Sequence, residues 1–296
     1  MNKLVCIVGT NASGKSGLAI ELAKEWGAEI VSADSRQVYK GLDLGSGKVT
    51  KEEMQGVRHY LLDVAEPNDF FSLYHYQKLA YAAIDDICSG SGKAFLVGGT
   101  GLYVNCVVDG YNLTGATPDP KTRSMIESKS SEELIEMIKK NNPGLLEKLD
   151  LLNRRRVERA AEKALSSDCA DSPNVKRYDT LLIGVTWPRP ELYERIRIRL
   201  DKRLSEGMID EVVRLRENGA TDEFLYKLGL EYRYILMYLR GEFSCYEEFY
   251  DKLFMEIRHL AKEQMTWFRK RKDIIWIDMK DDPIKRCNEL IGGFYG

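Results

Sequence analysis

The chain has only three histidines, has no apolar run approaching the roughly 20 residues of a membrane span, and carries a net charge of only −2. No two histidines stand at metal-ligand spacing, so His59 reads as a structural residue. The six cysteines, Cys6, Cys88, Cys106, Cys169, Cys245 and Cys287, include no CxxC pair. Neither a disulfide framework nor a zinc site is indicated, and the thiols are expected to be reduced packing residues. A signal peptide is excluded at the start, because the first apolar run already has another use; together with the missing spans this gives an expectation of a cytoplasmic protein without membrane contact. Internal repeats and low-complexity segments are missing too.

What remains is an ordinary globular composition, 44% hydrophobic and 30% charged over 296 residues, enough for one large core with a sizeable insertion. The positive charge is unevenly placed. Arg154, Arg155, Arg156 and Arg159 form one cluster, Arg195, Arg197, Arg199, Lys202 and Arg203 a second, and Arg269, Lys270, Arg271 and Lys272 a third. Any one of these, taken alone, reads first as a solvated helix face. Together they allow a basic face on a nearly neutral protein, and four arginines within six positions exceed what solubility asks of a helix.

The strongest local signal is the first sixteen residues. Lys3 to Val8 is a buried strand that runs into Gly9, Thr10, Asn11, Ala12, Ser13, Gly14, Lys15 and Ser16, the full GxxxxGKS spacing, and then into a helix with Leu18, Ala19, Leu22 and Ala23 on one face. Two glycines five apart let several N–H groups point into one concavity, and the helix N-terminus adds partial positive charge. An anion belongs there, a phosphate or diphosphate. Lys15 can reach terminal phosphates, and the Ser16 hydroxyl can ligate Mg2+, the expected cofactor.

Further along, Glu29 to Ser32 is a second strand that ends in Asp34, Ser35, Arg36, Gln37, Val38 and Tyr39. Residues just beyond the carboxyl ends of strands in an open α/β sheet face the binding crevice, so Asp34, Ser35 and Gln37 belong near the phosphate loop. Asp34 could hold magnesium or take a proton. Residues 41–69 are glycine-rich and polar, with a short strand at His59 to Val64. A helix is expected from about Ser72 to Ser89, and a strand from Lys93 to Val97 runs into Gly98, Gly99 and Thr100, which would face the same crevice. After Asp109 the character changes: Asp119 and Pro120 break the chain, Ser130 to Lys140 and Asn153 to Ser166 read as helices, and Asp168 to Pro173 is a loop. A strand at Thr180 to Thr186, one long helical stretch from Pro190 to Glu217, a helix from Cys245 to Lys272 and a strand at Ile274 to Ile277 complete the pattern. Alternating strands and helices imply a parallel sheet. The expected organisation is a phosphate-loop NTPase-like α/β core, residues 1–112 and 180–296, with flanking helices and a mainly helical insertion over 113–179. A phosphate loop alone leaves open a nucleotide kinase, a motor ATPase and a transferase that releases pyrophosphate; a GTPase is set aside, since neither NKxD nor DxxG occurs.

Taken together, Gly9 to Ser16, Asp34-Ser-Arg-Gln-Val-Tyr39, Gly98-Gly-Thr-Gly-Leu-Tyr103, Asp119-Pro-Lys-Thr-Arg123, Arg156-Val-Glu-Arg159 and Ala261-Lys-Glu-Gln-Met-Thr-Trp-Phe-Arg269 closely resemble the tRNA dimethylallyltransferases, collinearly from residue 4 to about 278. The resemblance implies transfer of the dimethylallyl group from dimethylallyl diphosphate to N6 of adenosine at tRNA position 37, with diphosphate released. It implies Lys15, Asp34 and Thr100 as catalytic residues, Asp34 taking the amine's proton, and Asp34, Ser35, Arg36, Gln37, Thr100, Arg123, Arg155, Arg156 and Arg159 as tRNA contacts. The anticodon stem-loop would be the partner, with the target adenine flipped out of its stack, and the protein is expected to be a monomer. An adenylate isopentenyltransferase acting on free AMP, ADP or ATP, a small-molecule kinase and an inactive RNA-binding relative are the alternatives. The pattern is broken in three places: Glu263 replaces a basic residue, Gly229-Leu-Glu-Tyr-Arg233 replaces glycine-tyrosine-basic, and Asn153-Arg154 replaces aspartate-proline.

Overall fold

The apolar run at the N-terminus forms β1 (Asn2–Gly9), and five of its residues, Leu4 to Val8, are fully buried. Burial of both faces in this way places a strand at the centre of a sheet with helices on each side. The computed structural model of the chain describes residues 1–90, 92–113, 120–147, 149–165 and 173–296. It divides into two units, Met1–Tyr111 with Val175–Gly296, and Asn112–Asn174.

In the first unit β1 is followed by α1 (Lys15–Trp26), β2 (Ala28–Ser32), β3 (His59–Tyr60), α2 (Leu73–Ser89), β4 (Lys93–Gly98) and α3 (Gly101–Val108). The second unit supplies α4 (Pro120–Glu127), α5 (Ser131–Asn141), a 3-10 turn (Pro143–Leu146) and α6 (Arg154–Leu165). The first then resumes with β5 (Tyr178–Thr186), α7 (Arg189–Ser205), α8 (Met208–Glu217), α9 (Asp222–Leu228), α10 (Leu230–Leu239), α11 (Tyr246–Arg269), β6 (Ile274–Asp278) and α12 (Pro283–Tyr295).

The six strands lie in the order β3-β2-β4-β1-β5-β6, every neighbouring pair parallel, with Val5 opposite both Phe95 and Leu181. One face of the sheet packs Val5, Ile7, Phe95 and Ile183 against Leu18 and Leu22 of α1 and Cys287 and Ile291 of α12. Near the other end of β2, Tyr76 of α2 stacks on Tyr103 of α3 at 3.8 Å and donates its hydroxyl to Ser32 O at 3.0 Å. Hydrogen-bonding partners for a buried phenol are what keep such a ring inside.

Two expected elements differ. The strand expected over His59 to Val64 stops after Tyr60, because Leu61 and Asp63 take left-handed φ values of 63° and 57° and break the ladder. The single helix expected from Pro190 to Glu217 is two, parted at Gly207, whose φ of 95° caps α8. The second unit has its own core, Ile126, Leu134, Ile138, Val157 and Ala161, and α5 opens with a reciprocal cap between Ser130 and Glu133. Asp119, Ser166, Cys169 and all of the Asp168 to Pro173 loop but its last residue lie outside the described residues.

Candidate active site

The carboxyl ends of β1, β2 and β4 bring three of the sequence motifs to one crevice, as parallel-sheet topology requires. In the phosphate loop, a Cβ at Gly9 would come 2.8 Å from both Ser13 Oγ and Val185 Cγ2, and Ala12 and Gly14 take left-handed φ values of 56° and 85°. Gly14 caps α1 without a side-chain hydrogen bond, so the first N–H groups of that helix remain open to a ligand. Asn11 Oδ1 and Ser13 Oγ are buried without a partner. Polar atoms left so in a loop of this shape mark a place that a polar ligand completes.

Lys15, half-buried, donates to Thr10 O at 3.2 Å. Burial pulls its pKa below the ordinary lysine value, the charge of Asp34 opposes that pull, and the positive charge of Arg203 adds to it. An anion beside it would stabilise the protonated form. The Asp34 Oδ1 accepts from Arg36 N at 2.9 Å and from Gln37 N at 3.4 Å, a turn that fixes the carboxylate. Its Oδ2 makes no hydrogen bond among the described residues and is the oxygen left to accept a proton. Thr100, at the start of α3, accepts from Ser35 N at 3.0 Å through its hydroxyl, and its own N–H donates to Ala33 O. Gln37 donates to Gly47 O at 3.2 Å and accepts from Ser32 Oγ at 3.2 Å, so its amide anchors the 42–48 loop.

Residues from distant helices close this crevice. Gln264 of α11 accepts from Asn11 N at 2.8 Å and donates to Gly99 O at 3.0 Å, so one amide joins the phosphate loop to the glycine turn after β4. A Cβ at Gly101 would fall on the Trp267 ring. Trp187 donates to Ser13 O at 2.9 Å, and Arg195, stacked on Trp187 at 4.5 Å, donates to Ala12 O at 3.0 Å. The second arginine cluster, which taken alone reads as a solvated face, sends Arg195 to the phosphate loop and Arg199 and Arg203 to Gly47. A signal for this was present: 195, 199 and 203 follow an i, i+4 spacing beside the buried stripe Leu192, Ile196 and Leu200. Arg197, off that spacing, pairs with Glu194 in solvent. In the third cluster Arg271 is held by Asp109 and Asp273, a structural tie.

The other expected contacts lie in the second unit. Arg123 pairs with Glu162 at 3.4 Å, while Arg155, Arg156 and Arg159 are exposed on α6, Arg156 lying 3.7 Å from Asp150. Among the described residues no cluster of three His, Cys, Asp or Glu side chains could hold a metal ion, no disulfide occurs, and no helix is long and apolar enough to cross a membrane. His59 Nδ1 contacts Val57 O at 2.9 Å, a local structural bond.

A family model described as IPP transferase matches residues 37–271. Among reviewed proteins, tRNA dimethylallyltransferase 2 of Citrifermentans bemidjiense is 42% identical over 97% of this chain and 94% of its own length. The tRNA dimethylallyltransferase of Anoxybacillus flavithermus is 37% identical over 98% and 95%. Among solved structures, the tRNA isopentenylpyrophosphate transferase of Bacillus halodurans is 36% identical, superposes with a TM-score of 0.76, and covers 99% of this chain and 97% of that one. A eukaryotic dimethylallyltransferase acting on tRNA, 22% identical with a TM-score of 0.86 over all of this chain and 80% of that one, shares the fold.

Proposed function

The chain belongs to the IPP transferase family, and on that footing we propose that it moves the dimethylallyl group of dimethylallyl diphosphate onto N6 of adenosine 37 of tRNA, releasing diphosphate. The observation that carries this reading is Gln264. A side chain from the AKxQxTWFR stretch bonds both the phosphate loop and the Gly98 to Thr100 turn, so the motifs that distinguish this family from a generic phosphate-loop protein form one site.

The chemistry follows from the groups assembled there. As the bond between the allylic carbon and the diphosphate oxygen breaks, negative charge grows on the leaving group. The N–H groups of residues 12 and 14–16, with Lys15 and Arg195, would receive it, which lowers the barrier with little reorganisation. The electron-poor carbon is then open to a weak nucleophile, the exocyclic amine of adenine. Forming the new C–N bond makes the amine acidic, and Asp34 Oδ2 takes its proton. Thr100 positions this base through Ser35. The Ser16 hydroxyl would hold an Mg2+ ion, and since no cluster of His, Cys, Asp or Glu side chains among the described residues could hold a metal, such an ion would be carried mainly by substrate phosphates and water. Such an ion would supply charge neutralisation at the diphosphate. The protein acts as a monomer, with Arg123, Arg155, Arg156 and Arg159 meeting the phosphates of the anticodon stem-loop.

The deciding experiment incubates the purified protein and Mg2+ with labelled dimethylallyl diphosphate and, in parallel, unmodified tRNA, AMP or ATP. Label is expected in tRNA alone. Label in AMP or ATP instead would transfer the reaction to a free nucleotide and overturn the tRNA assignment.

A further inference from the structure

Beside the crevice lies a buried ion network that is not complete. Glu231, 5% exposed, has Oε1 3.8 Å from Arg203 Nη1 and Oε2 3.9 Å from Arg36 Nη1. Neither approach is a hydrogen bond. Both Glu231 Oε2 and Arg203 Nη2 are buried with no hydrogen-bond partner. One carboxylate is therefore shared between two guanidiniums and fully engages neither.

The cationic excess grows toward Gly47. A Cβ on that glycine, whose φ is 62°, would fall on Arg203 Nη2 and on Arg199 Nη2 alike, so two like charges converge on one point of the loop. The other buried carboxylate nearby, Glu211, contributes charge to Arg203 but spends its hydrogen bonds elsewhere. It accepts from the backbone N–H groups of Asp43, Leu44 and Gly45 and from the Tyr232 hydroxyl, at 2.6 to 3.0 Å. Those four bonds hold the loop in place from below. The loop's Gly47 carbonyl in turn accepts from Gln37, three residues beyond Asp34. The converging arginines thus stand at the edge of the crevice, beside a loop held by these bonds, with Arg203 Nη2 lacking a hydrogen-bond acceptor.

We propose that Arg203, with Arg199 beside it, binds a substrate phosphate oxyanion at the Gly47 edge of the crevice, and that the Glu231 carboxylate is a loose counter-charge with which the phosphate competes for the guanidinium. Two planar guanidiniums offer paired N–H donors to a phosphate, a geometry that lysine does not reproduce. The proposal also gives Glu231 a role: an acid stands where the resemblance leads one to expect a basic residue, and Arg203 supplies the cation from α7. The source of the phosphate rests on the prenyl-transfer reading, being either the diphosphate of the allyl donor or a phosphodiester next to the target adenosine.

The test uses the full chain as wild type, Arg203→Met, Arg203→Lys and Glu231→Gln, each checked for folding by thermal melting. Calorimetric titration with inorganic pyrophosphate and Mg2+ reads the first source; binding of an unmodified anticodon stem-loop across a salt series reads the second. Arg203→Met is expected to weaken pyrophosphate binding at least roughly tenfold, or to lower the salt slope of RNA binding by about one unit. Arg203→Lys should recover only part of the loss, while Glu231→Gln, which breaks the same ion pair, should leave binding of that ligand at or above the wild-type level. Wild-type affinity and slope in folded Arg203→Met, or equal losses in Arg203→Met and Glu231→Gln, would overturn the proposal. If Arg203→Met does not fold, the contrast between Arg203→Lys and Glu231→Gln decides in the same way. Absence of prenyl transfer by the wild type would remove the reaction assignment and leave the pyrophosphate result standing.

Discussion

Arginines crowd α6 at 154, 155, 156 and 159 and α7 at 195, 197, 199 and 203, in helices of similar charge density, yet their surroundings differ. On α7, three of those named flank the buried stripe and are drawn inward: Arg195 to the Ala12 carbonyl of the phosphate loop, Arg199 and Arg203 to Gly47. On α6, only Arg154 turns inward, and it binds its own unit, donating to Ile126 O, Lys129 O and Glu158. The rest stay in solvent. An arginine's task is therefore set by whether its position on the helix lies beside the apolar stripe and by which carbonyls that stripe brings near. α7 turns its arginines toward the phosphate loop and Gly47, and α6 presents most of its charge outward.

The largest effect is expected where neither cluster acts. Asp34→Asn keeps an acceptor for the N–H groups of Arg36 and Gln37 and so preserves the turn, but it cannot take a proton. Turnover should fall by about two to four orders of magnitude, with both diphosphate and tRNA affinity near wild type, measured by single-turnover transfer and by separate binding titrations. A comparable fall in tRNA affinity would make Asp34 an anchor for the RNA and not the base.

A smaller pair of effects tests the comparison directly. Arg195→Met should weaken dimethylallyl diphosphate binding by roughly tenfold or more through loss of a charge-assisted contact, with the salt slope of tRNA binding unchanged. Arg156→Ala should do the opposite, lowering that slope by about one unit while diphosphate affinity stays constant. If both variants shift the same titration, the two helices do not divide the work as proposed.

Much of the site was legible in the chain because local rules govern it. A buried strand, a glycine-rich turn and a helix start are contiguous in sequence, and residues just past strand ends share a crevice whatever the rest of the fold does. Lys15, Asp34, Ser35 and Thr100 were reached in this way. Gln264, Trp187 and the inward arginines were not, because their partners lie far away in sequence: 253 residues separate Gln264 from Asn11. Only tertiary packing decides which carbonyl a helical side chain meets. The early end of β3 was missed for a different reason. Leu61 and Asp63 adopt left-handed backbone, which a leucine does not announce and an aspartate only permits.

The smallest effect separates stability from binding within α6 itself. Arg154 replaces the proline that the resemblance leads one to expect, and its guanidinium receives no exposed role: Nη2 donates to Ile126 O at 3.3 Å and to Lys129 O at 2.6 Å, carbonyls at the end of α4 and just beyond it. Carbonyls at a helix end lack intrahelical donors, so a cation there both satisfies them and meets the negative end of the helix dipole. The side chain is 35% exposed, which weakens the contribution by solvent screening. Arg154→Gln should therefore cost the 112–174 unit about 1 kcal/mol, seen as faster amide hydrogen exchange across α4 and α6. The salt slope of tRNA binding should not change, since no outward charge is removed. A slope reduced as much as in Arg156→Ala would place Arg154 among the RNA contacts and erase the distinction between an arginine that holds its own helix pair together and one that faces a partner.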